Sequence, residues 1–188
     1  MFDNLRGHFL IAADHLRDPN FFRTVVLMLE HSDESAMGLV INRPSSIAVD
    51  AAMAKLKQPS VSSDPIYSGG PVETSALFIL HSCPELGEND EEVTDGVFVT
   101  GSNDSFESLV NNQVSCDHKC GFRIYCGYAG WGAGQLAGEI ERGDWRILPA
   151  DAAIVFEEDP YNIWEVCIRQ VHEQNRILPH NVKNPEWN

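Results

Sequence analysis

The chain has 188 residues, 43% apolar and 22% charged, which suits one domain spanning residues 1–188 with a buried core. Its 28 acidic and 13 basic residues leave a net charge of −15, a field that repels phosphate backbones and argues against direct nucleic-acid binding. The longest apolar run, residues 25–29, is far short of the ~20 that cross a bilayer, and the first residues show no basic, apolar and small-residue leader pattern, so a cytoplasmic protein is expected.

In chain order, residues 8–13 and 24–30 read as strands, and the second is rich in β-favouring types. The polar cluster His31-Ser32-Asp33-Glu34-Ser35 turns the chain into residues 37–42, which predicts an antiparallel hairpin ended by Pro44. From Ile47 the period changes: Val49, Ala52, Met53 and Leu56 share one helical face. A short strand at Ile66-Tyr67, the turn Ser68-Gly69-Gly70-Pro71 and a strand over 76–80 ending at His81 follow. Residues 85–95 hold six acids and read as a surface loop. Residues 97–100 return to strand, and Ser102 or Asn103 caps a short helix through Phe106, Leu109 and Val110.

Over 121–127 alternation puts Phe122, Ile124 and Cys126 on the core face and Arg123 and Tyr125 on the other. A glycine-rich turn leads into a helix over 135–142, and Trp145-Arg146-Ile147-Leu148 forms a strand stopped by Pro149. Asp159-Pro160 is a cap-then-first-turn pair for a last helix to about Asn175, with Ile163, Val166, Cys167 and Val171 as its buried stripe. This mixed order predicts α+β rather than a doubly wound sheet.

Five cysteines, Cys83, Cys116, Cys120, Cys126 and Cys167, follow no regular spacing, so reduced thiols are expected. Cys116, His118 and Cys120 are soft ligands in five residues, too few for a tetrahedral zinc site without a fourth from elsewhere; no metal or cofactor is expected. Residues 132–137 satisfy the dinucleotide pattern G-x-G-x-x-G/A, but only one clear strand follows them, so a tight turn anchored by Trp131 is the better reading. No hydrolase or NTPase template occurs, although Ser68, His81 and Asp104 are residue types that make a nucleophile set. Asn42-Arg43-Pro44 places a rigid guanidinium fork at a strand end, suited to a carboxylate, a phosphate or a structural salt bridge. The flanking glycines leave Tyr128 and Trp131 to line a cleft or fill a core.

Several blocks together resemble the AlgH/YqgE family: residues 37–44, Gly69-Gly70-Pro71-Val72, Phe78-Ile79-Leu80-His81 and residues 127–136, in that order, with residues 7–12, Asp18-Pro19-Asn20-Phe21, Glu139-Ile140, Trp145 and the Trp164 helix also fitting. Ala133 stands where the family turn suggests proline. The resemblance implies an α+β fold with a bifurcated mixed sheet curled into a pseudo-barrel and flanked by helices. It implies no known reaction: the family is largely uncharacterised, with a proposed role in regulating alginate production and no accepted catalytic residues. The leading expectation is therefore a non-enzymatic regulatory or interaction domain that acts through a protein partner. The alternative is a small-molecule binder or enzyme whose cleft gathers Asn42, Arg43, Gly69, Gly70, His81 and Trp131.

Overall fold

The computed structural model describes residues 4–48, 65–84, 90–101 and 121–174. Strands β1 (His8–Ala12), β2 (Val25–His31) and β3 (Ser35–Val40) form an antiparallel meander, whose β2–β3 hairpin is the one the turn cluster predicted. Its side chains are buried on both faces: Phe9, Ile11, Val25 and Leu27 enter one core, Leu10, Ala12, Val26 and Met28 the other. Burial from both sides explains why these strands read as continuous apolar runs rather than as alternation.

After them the chain forms β4 (Pro44–Ala48), β5 (Pro65–Ser68), β6 (Val72–His81), β7 (Glu91–Thr94), β8 (Val97–Thr100), β9 (Phe122–Gly132) and β10 (Trp145–Pro149). The main path of the sheet is β10-β1-β2-β3-β9-β6-β8-β7, with β4 paired to β5 beside it. β9 is where the sheet divides. Its last residues, 129–132, pair with β3, whereas its first residues pair antiparallel with β6 and, through Tyr67↔Tyr125, parallel with β5. At the division Gly127 takes φ 71, and the β5–β6 link runs so close to β9 that a Cβ on Gly69 or Gly70 would lie 2.3 Å from Gly127 O or 2.1 Å from Tyr128 C. Only glycine allows that approach.

Three helices cover the curled sheet among the described residues: α1 (Gln135–Glu141), α2 (Ala152–Phe156) and α3 (Ile163–Gln174). Leu136 and, in part, Ile140 of α1 close one core, while Ile163, Trp164, Cys167 and Val171 of α3 close the other; of the stripe that periodicity foresaw only Val166 is half-buried, and Trp164 joins it. The result is the expected bifurcated, mixed α+β half-barrel.

The structure corrects several local expectations. Pro44 opens β4 instead of ending a strand, a position where proline costs no ladder bond at a sheet edge. The acidic stretch is not all loop: residues 91–94 form a strand on β8, Val93 is buried and the Asp90 side chain is only 5% exposed. Tyr125, assigned by alternation to the outer face, is fully buried because Tyr67 of β5 packs beside it at 5.2 Å between ring centroids and the helical layer covers that face of β9. Cys83 is in a disulfide, which spacing could not show because pairing follows proximity in the fold; Cys126 and Cys167 are free thiols. The helices expected over 49–56 and 102–112, the Cys116–His118–Cys120 cluster and Asp104 lie outside the described residues.

Candidate functional site

The Asn42-Arg43 motif acts on the loop that precedes β2. Asn42 Oδ1 accepts from Val25 N at 2.9 Å, and its Nδ2 donates to Arg23 O at 2.9 Å. Arg43 donates from Nη1 to Pro19 O at 3.0 Å and from Nη2 to Phe22 O at 3.1 Å. Desolvation lowers the Arg43 pKa from its ordinary value, against the opposing charge of Asp18. The fork predicted for a ligand or a salt bridge is thus engaged by backbone carbonyls, and it clasps the loop. Asp18 O also accepts from Phe21 N and Phe22 N, and Thr24 caps the turn through Phe21 O.

Held at both ends, the loop forces Arg23 into the left-handed region, φ 52. Its guanidinium lies 4.9 Å from the Trp164 ring centroid and 5.7 Å from that of Phe22. Among the described residues this side chain makes no hydrogen bond or ion pair. Facing it is the start of α3, where Asp159 Oδ1 accepts from Tyr161 N at 3.0 Å and Trp164 Nε1 donates to Ala12 O at 2.8 Å, tying the helix to β1. Between the two elements is a hollow of about 170 Å³ lined by Arg23, Asn42, Pro160, Tyr161, Trp164 and Glu165. Asn42 is the one residue expected from sequence that lines it.

The other candidates lie elsewhere. Gly69 and Gly70 form the backbone crossing at the division of the sheet, next to Arg43 through the bond from Ser68 N to Arg43 O. His81 pairs with Phe122, and Trp131 with Ala36, so they occupy opposite ends of β9, on the order of 30 Å of strand apart. The six residues do not share one cleft.

His81 is fully buried, stacked on Phe98 at 5.6 Å. Its Nδ1 accepts from Cys83 N at 3.3 Å, which leaves the ring proton on Nε2, 3.2 Å from Asp90 Oδ2. Desolvation lowers the histidine pKa from 6.5 despite the carboxylate, so the neutral ring is the folded form. On the neighbouring strand, Arg123, which pairs with Leu80, packs over Tyr67 at 5.1 Å and donates to Glu158 O at 2.9 Å, while burial raises the Tyr125 phenol pKa.

The glycine-rich turn is a structural device. Gly134 takes φ 71 to start α1, and Gly132 N donates to Gln135 Oε1 at 3.2 Å. Glu139, four residues along the helix, accepts from Trp131 Nε1 at 2.9 Å and Trp145 Nε1 at 2.8 Å on one oxygen, and from Gln135 Nε2 at 3.1 Å on the other. The sheet here is antiparallel, so the dinucleotide-like spacing has no βαβ unit around it.

The AlgH-like family model matches residues 9–176. The chain belongs to that family. It is 34% identical over 188 residues to a UPF0301 protein of Chlorobium limicola, covering 100% of this chain and 98% of that one. A UPF0301 protein of Marinomonas sp. is 40% identical over 159 residues, 82% of each chain. The solution structure of the AlgH protein from Pseudomonas aeruginosa superposes with a TM-score of 0.74 at 32% identity, covering 98% of both chains. A crystal structure from Corynebacterium diphtheriae gives 0.70 at 25% identity, covering 88% of this chain and 86% of that one. In this AlgH-like chain the residue at the expected proline position, Ala133, is exposed in the turn. Arg23, Tyr161 and Glu165 were not singled out by sequence, because strained backbone and pocket rims leave no periodic signal.

Proposed function

We infer that the chain is a non-enzymatic protein-interaction domain, and that any effect on transcription runs through a protein partner rather than through DNA contacts. The observation that supports this reading is the surface around Arg23. Of the large apolar side chains exposed among the described residues, Phe22 at 41% and Tyr161 at 78% both flank it, and Arg17 also stacks on Phe22 at 5.9 Å. Exposed aromatics interleaved with arginine are the composition of binding hot spots.

The test compares capture of host proteins by the wild-type chain and by a Phe22→Ser/Tyr161→Ser variant, both sites being exposed enough to leave the fold intact. A stoichiometric partner held by the first and lost by the second is expected. Repeated recovery of the bare chain, or capture indifferent to the double substitution, would overturn the reading. Salt-sensitive DNA binding by the isolated chain would defeat the indirect route.

A further inference from the structure

We propose that the hollow between Arg23 and the start of α3 is a recognition pocket for a single terminal residue: an α-carboxylate on an apolar side chain, with an N–H group beside it. The inference rests on the interaction surface inferred above and names what it holds.

Size limits the occupant first. At about 170 Å³ the hollow is smaller than the ~300–1,000 Å³ typical of sites enclosing a drug-sized molecule, so it takes one residue-sized group. Its lining then sets the chemistry. Pro160, Tyr161 and Trp164 form an apolar wall, Arg23 is the cation and Glu165 the anion. Asn42 adds no free polar group at its amide, because both ends are engaged by Val25 N and Arg23 O.

Arg23 is what turns this concavity into a site. Two aromatic faces hold its guanidinium while none of its donors is taken by a described residue, so the fork is oriented and open. A planar carboxylate matches such a fork through two parallel N–H bonds. The backbone at Arg23 is strained, φ 52, at a position where glycine or asparagine sits more easily. An arginine held at positive φ between two rings, its donors meeting no described residue, is available for recognition. Glu165, on the same rim, accepts the N–H adjoining the bound carboxylate: the amide of a peptide end or the ammonium of a free amino acid.

The experiment titrates the ¹⁵N-labelled full chain with four probes, following the Trp164 indole N–H resonance: the tripeptide Gly-Gly-Phe, its C-terminal amide, free phenylalanine and acetate. Gly-Gly-Phe should shift that signal saturably, and amidation should weaken binding at least tenfold. Free phenylalanine binding as well as the tripeptide assigns the pocket to amino acids; tighter tripeptide binding assigns it to chain ends. Arg23→Lys should weaken binding several-fold and Arg23→Gly should abolish it, while Arg23→Gly keeps the wild-type melting profile. Equal binding of acid and amide, or full binding by Arg23→Gly, would overturn the proposal. If none of the probes binds but the patch still captures a partner, the pocket assignment is wrong and the interaction reading stands.

Discussion

Replacing Glu139 tests whether the glycine–tryptophan block is a structural network. Its carboxylate takes two indole N–H donors, from Trp131 and Trp145, which are 4% and 3% exposed. Glu139→Ala leaves both donors buried without an acceptor, at about 1–3 kcal/mol each, so about 2–6 kcal/mol in total. For a chain of this size that lowers Tm by about 4–24 °C, and the loss is a large part of a typical stability of about 5–15 kcal/mol. Glu139→Gln keeps an oxygen with two lone pairs for the indoles but loses the charge, and its new N–H₂ faces Gln135 Nε2, for a cost of about 1–2 kcal/mol. Thermal and urea unfolding followed by tryptophan fluorescence measure the gap, with near-UV circular dichroism reporting the indole environment. Equal losses in the two variants, or a loss below about 1 kcal/mol for alanine, would refute the network.

Glycine substitutions should separate strongly by position. Gly70→Ala drives a Cβ into the Tyr128 carbonyl and should cost about 3 kcal/mol or more, whereas at Gly132 a Cβ meets nothing within 4 Å and the change should stay within about 0.5 kcal/mol by urea titration. Because the folded pKa of His81 lies below 6.5, the unfolded chain takes up its proton first on acidification. Its contribution to stability is therefore complete above about pH 6.5 and is lost as the pH falls toward the folded value; comparing melts of wild type and His81→Gln at pH 7.5 and 5.5 should show a shallower loss in the variant. Cys167 is buried in α3 with its pKa pushed up to about 12, so iodoacetamide at pH 8 should leave it unmodified by peptide mass spectrometry until denaturant is added.

Much of the fold was legible because its signals are local. Turn residues at 31–35 and 68–71 and the i, i+4 stripe on α3 each act within a few residues, and the structure shows them in place; Asp159 Oδ1 does accept from Tyr161 N, but residues 160–162 are turn and α3 begins at Ile163 rather than at Pro160. What was not legible has two causes. Tyr125 is buried by segments distant in sequence, beside Tyr67 of β5 and under the helical layer, whereas β7 pairs with β8 across residues 95–96, a local hairpin that the acidic composition concealed. A run of acids favours solvent, yet one buried valine and a ladder sufficed to fix residues 91–94 as a strand.

The candidate site was legible only at Asn42, and the reason lies in the energetics of Arg23. Its left-handed backbone costs about 1–2 kcal/mol relative to glycine. Stacking on Phe22 and Trp164 returns about 0.5–1 kcal/mol per ring at exposed sites, so the two effects nearly cancel. Arg23→Gly removes strain and stacking together and should change stability by less than about 1 kcal/mol, whereas Arg23→Ala keeps the strain, loses both rings and should fall by about 1–2 kcal/mol. Alanine would then be the less stable variant, the opposite of the order found in regular secondary structure. Urea titration of the two variants decides it: if glycine loses as much as alanine, the strain is not stored at Arg23, and the residue belongs to the framework rather than to the pocket.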